Sequence, residues 1–152
     1  NNFLLETEHG PMGGDEINLI KIDQISQINI QNFGWPISSL GEHYGGISEK
    51  RNKIKYQKYP LYSSHIDHGF IEPLKSFVPS IGISEIVGIG MKKFVVSSLK
   101  DKSLYFFELS QNNKIVELDK VKVFERIRDL QFKNNNLYLF LEDSASLGII
   151  GL

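Results

Sequence analysis

The turn within "ETEHGPMGGDEINLI", from Glu6 to Ile20, has the composition of a ligand-binding loop. It places Pro11, whose ring restricts φ, and three glycines between two apolar runs. Two interpretations fit such a turn: a surface connection between strands, or a loop whose backbone carbonyl oxygens face a ligand. The turn by itself leaves both open.

Two arginines in "RIRD", Arg126 and Arg128, form a second candidate site. Alternate side chains of a strand point to the same face, so a strand here places both guanidinium groups opposite Ile127. The planar guanidinium fork is suited to carboxylates. An ordinary amphipathic strand would give the same pattern, so these two residues alone do not establish a site.

The sequence contains few other candidates for metal ligands or catalytic residues. His65 and His68 in "SSHIDHG" have the spacing of a metal pair, but a single pair of this kind in a loop is interpreted as a solvated segment. The chain has no cysteine, which excludes disulfides, thiolate metal sites and a cysteine nucleophile. No nucleophile elbow is present, so no catalytic residue is assigned.

The elements that would position these residues are predicted to be strands. Short segments rich in β-branched and aromatic residues, from "FLLET" to "SLGIIGL", alternate with turns rich in Gly, Asn, Asp or Lys. Helical periodicity is not sustained anywhere, so no helix is predicted. The many glycines and prolines from Asn32 onward predict a long loop region over residues 32–82.

A repeat organises the second half of the chain. A shift of 43 positions aligns "KFVVSSLKDKSLYFFEL", Lys93 to Leu109, with "NLYLFLEDSASLGIIGL", Asn136 to Leu152. A period near ~40 to 50 residues in an all-strand sequence is typical of propeller blades with four strands each. A β-sandwich with accidental self-similarity is the alternative.

The repeat predicts an all-β fold, a β-propeller of about three blades. Residues 1–31 are predicted as a partial blade, 83–125 as a blade and 126–152 as a partial blade. The turns that contain "EHGP", Lys100 and "EDS" are then equivalent, and we expect them on one face of the ring.

Composition narrows the classes of partner. The 152 residues predict at most one domain, and a net charge of -1 provides no basic field for nucleic acid or an anionic membrane. No apolar run approaches the ~18 residues that span a bilayer, and no targeting signal is recognised. We therefore expect neither nucleic acid nor a membrane as a partner.

Six motifs in order carry a family resemblance: "TEHGPMGGDEINLI", "NFGWPISSLGEHYGG", "PSIGISEIVGI", "VSSLKDKSLY", "RIRDL" and "LYLFLEDS". Together they resemble the C-terminal half of the soluble aldose sugar dehydrogenases that use pyrroloquinoline quinone, the glucose/sorbosone dehydrogenase family. The resemblance implies a six-bladed propeller, of which the three predicted blades are half, that oxidises an aldose to its lactone by hydride transfer to the quinone. It also implies a periplasmic or secreted protein.

The resemblance assigns two calcium sites. The backbone carbonyls of Gly10 and Pro11 match those that hold the Ca²⁺ ion next to the quinone, and hard oxygen ligands suit calcium. Glu16, with the backbone of Phe33, matches a second, structural calcium site. The connection from Leu19 to Asn32 is longer than the family pattern, so a solvated strand end is the alternative for Glu16.

The resemblance also assigns the quinone site. Lys100, Arg126 and Arg128 match basic residues that bind the cofactor's carboxylates, and Tyr44 matches a tyrosine that contacts it. The family's hydride-abstracting base is a histidine in the N-terminal half. None of the four histidines of this chain matches it, so no residue here is predicted to be catalytic.

Half a propeller leaves sheet faces uncovered, which predicts a homodimer or a complementing N-terminal half as partner. The first functional hypothesis is a cofactor-binding part of a sugar dehydrogenase, inactive on an aldose until the missing blades are supplied. The alternative is a non-catalytic propeller module for recognition or scaffolding.

Overall fold

The computed structural model describes residues 2–25, 30–45 and 50–152. Residues 1, 26–29 and 46–49, which belong to the predicted first partial blade and loop region, lie outside the described residues. The chain divides into two compact units, Asn1–Ser80 and Ile81–Leu152. The described strands form three antiparallel sheets of three, four and three strands, so the prediction of an all-β fold class is confirmed at that level.

The first unit contains one sheet built on the predicted hairpin. Strand β1 (Phe3–Glu8) pairs with β2 (Asp15–Lys21), and β2 pairs with β3 (Lys75–Phe77). The middle strand is the most buried, because it has a neighbour on each side and Ile17 is completely covered. Strand β3 lies within the predicted loop region, which is therefore not entirely irregular.

A helix in the same region corrects the prediction that the chain has none. Helix α1 spans Lys50–Lys58, and 3₁₀ turns cover Ile22–Gln24 and Ile66–His68. The sequence of α1, "KRNKIKYQK", is rich in good helix formers but has no apolar stripe. A search for apolar periodicity cannot find such a helix, which explains why the prediction was wrong.

Tertiary contacts attach α1 to the preceding segment. The backbone N–H of His43 donates to the Tyr56 hydroxyl at 2.8 Å, and the two rings meet edge to face with centroids 4.6 Å apart. A nitrogen of the His43 ring lies 2.8 Å from the carbonyl oxygen of Tyr59. The helix is therefore held by polar and aromatic contacts from its C-terminal half.

The second unit contains two sheets. The first has the order β4-β5-β6-β7, with β4 at Ile83–Gly90, β5 at Lys93–Ser98, β6 at Ser103–Leu109 and β7 at Ile115–Lys122. The second has the order β10-β9-β8, with β8 at Ile127–Lys133, β9 at Asn136–Leu141 and β10 at Ser146–Gly151.

The strand bounds follow the sequence repeat. Both bounds of β9 lie 43 positions after those of β5, and β10 begins 43 positions after β6. Both sheets arrange the equivalent strands in the same antiparallel order. The repeated apolar positions therefore correspond to repeated strands.

The two sheets of the second unit pack on one core. Its buried residues come from both sheets: Val95, Leu104, Ile127, Leu130, Leu137 and Leu139. A hydrogen bond of 2.7 Å from the Ser84 hydroxyl to the carbonyl oxygen of Ile127 also joins β4 to β8. Adjacent repeats therefore share their apolar side chains, as repeated units that cannot bury a face alone must do.

Among the described residues, none of the helices has both the length and the apolar character that crossing a membrane requires.

Candidate functional site

The Gly-Pro turn of the first unit is folded tightly against the segment around Gly41. Met12 and Glu42 exchange two backbone hydrogen bonds of 2.9 Å, which fix the turn to that segment. Gly14 has a φ of 71°, and a Cβ there would collide with the backbone of Gly41. Only glycine fits both the left-handed conformation and the close approach.

This turn fits the calcium ion that the family resemblance implies. Within the described residues, no hydrogen bond ends on the carbonyl oxygen of Gly10 or Pro11, so both can accept a cation. A small depression lies beside Gly10 and is also lined by Glu8 and Glu16. Hard, oxygen-rich surroundings of this kind suit Ca²⁺.

The site does not depend on a cluster of side chains. Across residues 2–25, 30–45 and 50–152, no group of three or more His, Asp or Glu side chains is arranged to hold a metal ion. Backbone carbonyls would therefore have to supply much of the coordination.

Glu16 is a buried carboxyl group in β2. Burial raises its pKa to about 7, and the negative charge of Glu8, its antiparallel partner in β1, adds to this effect. One carboxyl oxygen lies 3.3 Å from Nε2 of His65, which is completely buried. The alternative interpretation of Glu16 as a solvated strand end is therefore wrong, because Glu16 is 5% exposed.

His65 lies between two carboxylates. Its Nδ1 is 3.3 Å from Glu72, and the Glu72 carboxylate also accepts the backbone N–H groups of His65 and Ile66 at 3.0 Å. Nearby, the side-chain oxygen of Asn18 is buried and makes no hydrogen bond among the described residues. The sequence predicted a solvated loop at His65. No local sequence signal distinguishes a buried histidine from a solvated one.

Phe33 and Tyr44 occupy different environments in the first unit. Phe33 is buried and lines a depression that Glu6 and Glu8 also line. Tyr44 is 73% exposed. The predicted structural calcium site at Glu16 and Phe33 and the predicted cofactor contact of Tyr44 stay predictions.

In the second unit, Arg126 and Arg128 converge on one carboxylate. Nε of Arg126 lies 3.3 Å from Oε1 of Glu142, and Nη2 of Arg128 contacts Oε2 of the same group. The convergence agrees with the prediction that both guanidinium groups point to one side. The geometry differs from a regular strand, because the pairing of β8 with β9 shifts between Ile127 and Asp129 and so forms a bulge at Arg128.

Lys100 lies on the turn between β5 and β6. The backbone N–H of Lys100 donates to the carbonyl oxygen of Ile81 at 3.0 Å. Gly82 packs so closely against Lys100 that a Cβ added to Gly82 would lie 2.9 Å from the backbone nitrogen of Lys100. The Lys100 side chain is exposed.

An ion pair joins this turn to the turn between β9 and β10. Nζ of Lys102 lies 2.6 Å from Oδ2 of Asp143. That hydrogen bond lowers the pKa of Asp143, and a weaker one from the backbone N–H of Arg126 acts in the same direction. The turns with Lys100 and with Glu142 therefore lie at one end of the second unit.

Glu142 is the residue of this cluster that sequence reasoning missed. In the repeat, Glu142 and Asp143 align with Leu99 and Lys100, so the second copy carries acids where the first carries an apolar and a basic residue. This difference in charge at equivalent turn positions is the sequence signal that could have indicated contacts between the two turns.

The other three histidines of the first unit make different contacts. His9, next to the Gly-Pro turn, is exposed, and its Nδ1 is 3.9 Å from Asp15. His43 and His68 contact aromatic rings, those of Tyr56 and Tyr62.

The chain is similar to several known proteins. Aldose sugar dehydrogenase YliI of Escherichia coli K12 is 27% identical over 154 residues, which cover 95% of this chain and 37% of the relative. The apo-form crystal structure of the soluble aldose sugar dehydrogenase from Escherichia coli matches with a TM-score of 0.72 and 23% identity, over 99% of this chain and 42% of that one.

A second similar structure is the PQQ-bound form of aldose sugar dehydrogenase from Streptomyces coelicolor. It matches with a TM-score of 0.53 and 20% identity, over 90% of this chain and 33% of that one. The chain thus spans well under half the length of each of these relatives. Residues 1–150 match the glucose/sorbosone dehydrogenase family, and because this match includes nearly every residue, the chain belongs to that family.

Proposed function

We propose that this chain is a cofactor-binding part of an aldose sugar dehydrogenase that uses pyrroloquinoline quinone and Ca²⁺. Membership of the family and the quinone named for a similar structure support this proposal. In this proposal the three sheets are propeller blades, which agrees with the 43-residue spacing of the strands in the second unit.

The convergence of Arg126 and Arg128 on the Glu142 carboxylate is the observation that carries the proposal. It indicates that the two guanidinium groups can grip a carboxylate together, and the quinone is a tricarboxylate. Each guanidinium has five N–H donors, so further donors are left for a ligand. Lys100 adds a positive charge at the same end of the unit.

The proposed roles follow from these groups. Arg126, Arg128 and Lys100 bind and orient the carboxylates, Tyr44 contacts the cofactor, and the carbonyls of Gly10 and Pro11 hold Ca²⁺. When bound, the quinone supplies a hydride acceptor and calcium makes it more electrophilic. In this proposal the base belongs to the N-terminal half of the family's fold, and the substrate class is an aldose.

Fluorescence titration with pyrroloquinoline quinone, with Ca²⁺ present, tests the proposal. We expect saturable binding that weakens at least tenfold in the double variant Arg126→Ala, Arg128→Ala and that also weakens when a chelator removes Ca²⁺. The matched control removes two exposed lysines of the same unit, Lys114→Ala with Lys133→Ala, and should change the affinity less than twofold. Equal losses in both double variants would show that only net charge matters.

A further inference from the structure

We propose that Glu142 is an internal competitor for the carboxylate ligand of Arg126 and Arg128. This inference rests on the proposed function, because it concerns the same two guanidinium groups. Glu142 presents one oxygen to each arginine and so takes the position that a ligand carboxylate would take. A bound quinone must displace the Glu142 side chain or share the arginines with it.

The exposure of the three groups makes this displacement easy. The side chains of Arg126, Arg128 and Glu142 are 36%, 56% and 38% exposed. Ion pairs in such positions contribute little to stability, since water and salt screen them and two long side chains must be ordered. A multiply charged ligand that brings several carboxylates at once therefore competes well against the single carboxylate of Glu142.

The backbone of the turn is held independently of the Glu142 side chain. The N–H of Glu142 donates to the carbonyl oxygen of Arg126 at 2.9 Å, and the Glu125 carboxylate accepts both the N–H and the hydroxyl of Ser144 at 3.1 and 2.7 Å. The Lys102–Asp143 ion pair adds a further connection. The side chain of Glu142 can therefore rotate away while the turn keeps its place.

The neighbouring carboxylate makes a matched control. Asp143 carries the same charge one residue away, but its contacts are to Nζ of Lys102 and, at 3.4 Å, to the backbone N–H of Arg126. Among the described residues, it contacts no guanidinium group. Competition at the arginines thus predicts different effects for the two residues, whereas a general effect of negative charge predicts similar ones.

Binding of pyrroloquinoline quinone to Glu142→Gln and Asp143→Asn tests this inference. We expect E142Q to bind the quinone three- to tenfold more tightly than the wild type and D143N to change the affinity less than twofold. On the background of Arg126→Ala with Arg128→Ala, E142Q should have no effect. Circular dichroism should show the same sheet content in all variants.

The outcomes separate the inference from the proposed function. Unchanged or weaker binding by E142Q overturns the inference, because Glu142 would then either position the arginines or have no influence on the ligand. An equal gain in affinity in D143N also overturns it, because the effect would then be one of general negative charge. If the wild type and E142Q both fail to bind, or bind equally well without the arginines, the proposed function fails as well.

Discussion

Asp101, in the turn between β5 and β6, is expected to contribute substantially to the stability of the second unit. Its Oδ2 accepts the Tyr105 hydroxyl at 2.7 Å and lies 2.8 Å from Nζ of Lys120, while Lys122 contacts the same residue. Tyr105 is 6% exposed, so its hydroxyl depends on bonds made within the protein. The perturbation is Asp101→Asn, which keeps an acceptor oxygen but removes the charge.

The magnitude follows from the interactions that this substitution weakens. A hydrogen bond to a charged group contributes about 1.5–3 kcal/mol and a neutral one about 0.5–1.5 kcal/mol, so the hydrogen bond from Tyr105 becomes weaker by about 1–1.5 kcal/mol. The ion pair with Lys120, a half-exposed side chain, adds at most about 1 kcal/mol. We therefore expect D101N to lower the free energy of unfolding by about 2 kcal/mol at pH 7.

The difference in the free energy of unfolding between wild type and D101N should shrink as pH falls. Burial raises the pKa of Asp101, but hydrogen bonds from Lys120 and Tyr105 outweigh it and hold the pKa well below its usual value. The unfolded chain therefore takes up this proton at a higher pH than the folded chain does. The stabilisation by the Asp101 carboxylate is complete above the ordinary carboxyl pKa and is lost as pH falls towards the pKa of Asp101 in the folded chain. The free energies of unfolding of wild type and D101N should therefore converge as pH falls below about 4.

Urea denaturation followed by circular dichroism measures these differences. A double-mutant cycle with Tyr105→Phe should give a coupling free energy of about 1–1.5 kcal/mol between the two residues. Asp119→Asn on β7 is the control: this side chain is exposed, and its removal should cost less than about 0.5 kcal/mol. A coupling energy near zero, or a difference that widens as pH falls, would refute the reasoning.

Three further predictions concern the core, the reaction and the assembly. Leu137→Ala, at a completely buried position between the two sheets, should lower the free energy of unfolding by about 2–5 kcal/mol, whereas Leu147→Ala, which is 52% exposed, should cost far less in the same urea titration. The isolated chain with cofactor and Ca²⁺ should not reduce a dye in the presence of glucose, because no histidine matches the family's base; clear turnover would show that a base was overlooked. Light scattering on a size-exclusion column should give a mass above the 17.3 kDa monomer, and a sharp monomer peak would contradict the expected association.

Local pattern was sufficient to predict the strands. The short apolar and aromatic runs in "KFVVSS" and "NLYLFL" and the repeat that links them predicted β5 and β9 with their correct spacing, because such runs between turn residues are a signal that neighbours along the chain supply. The same criterion missed α1, since a helix with no apolar stripe leaves no periodic signal. It also missed β3, whose three residues are too few for an alternation to be recognised.

The candidate site depended more on tertiary structure. The sequence by itself identified Arg126 and Arg128 as a pair on one side of a strand, and the Gly-Pro turn as a special backbone conformation. Only the fold brought Glu142 onto the two arginines and buried His65 between Glu16 and Glu72, residues 49 positions before and 7 after it in the chain. Such contacts are decided by how sheets and loops pack, because the free energy of a buried or shared charge depends on neighbours that are distant in sequence.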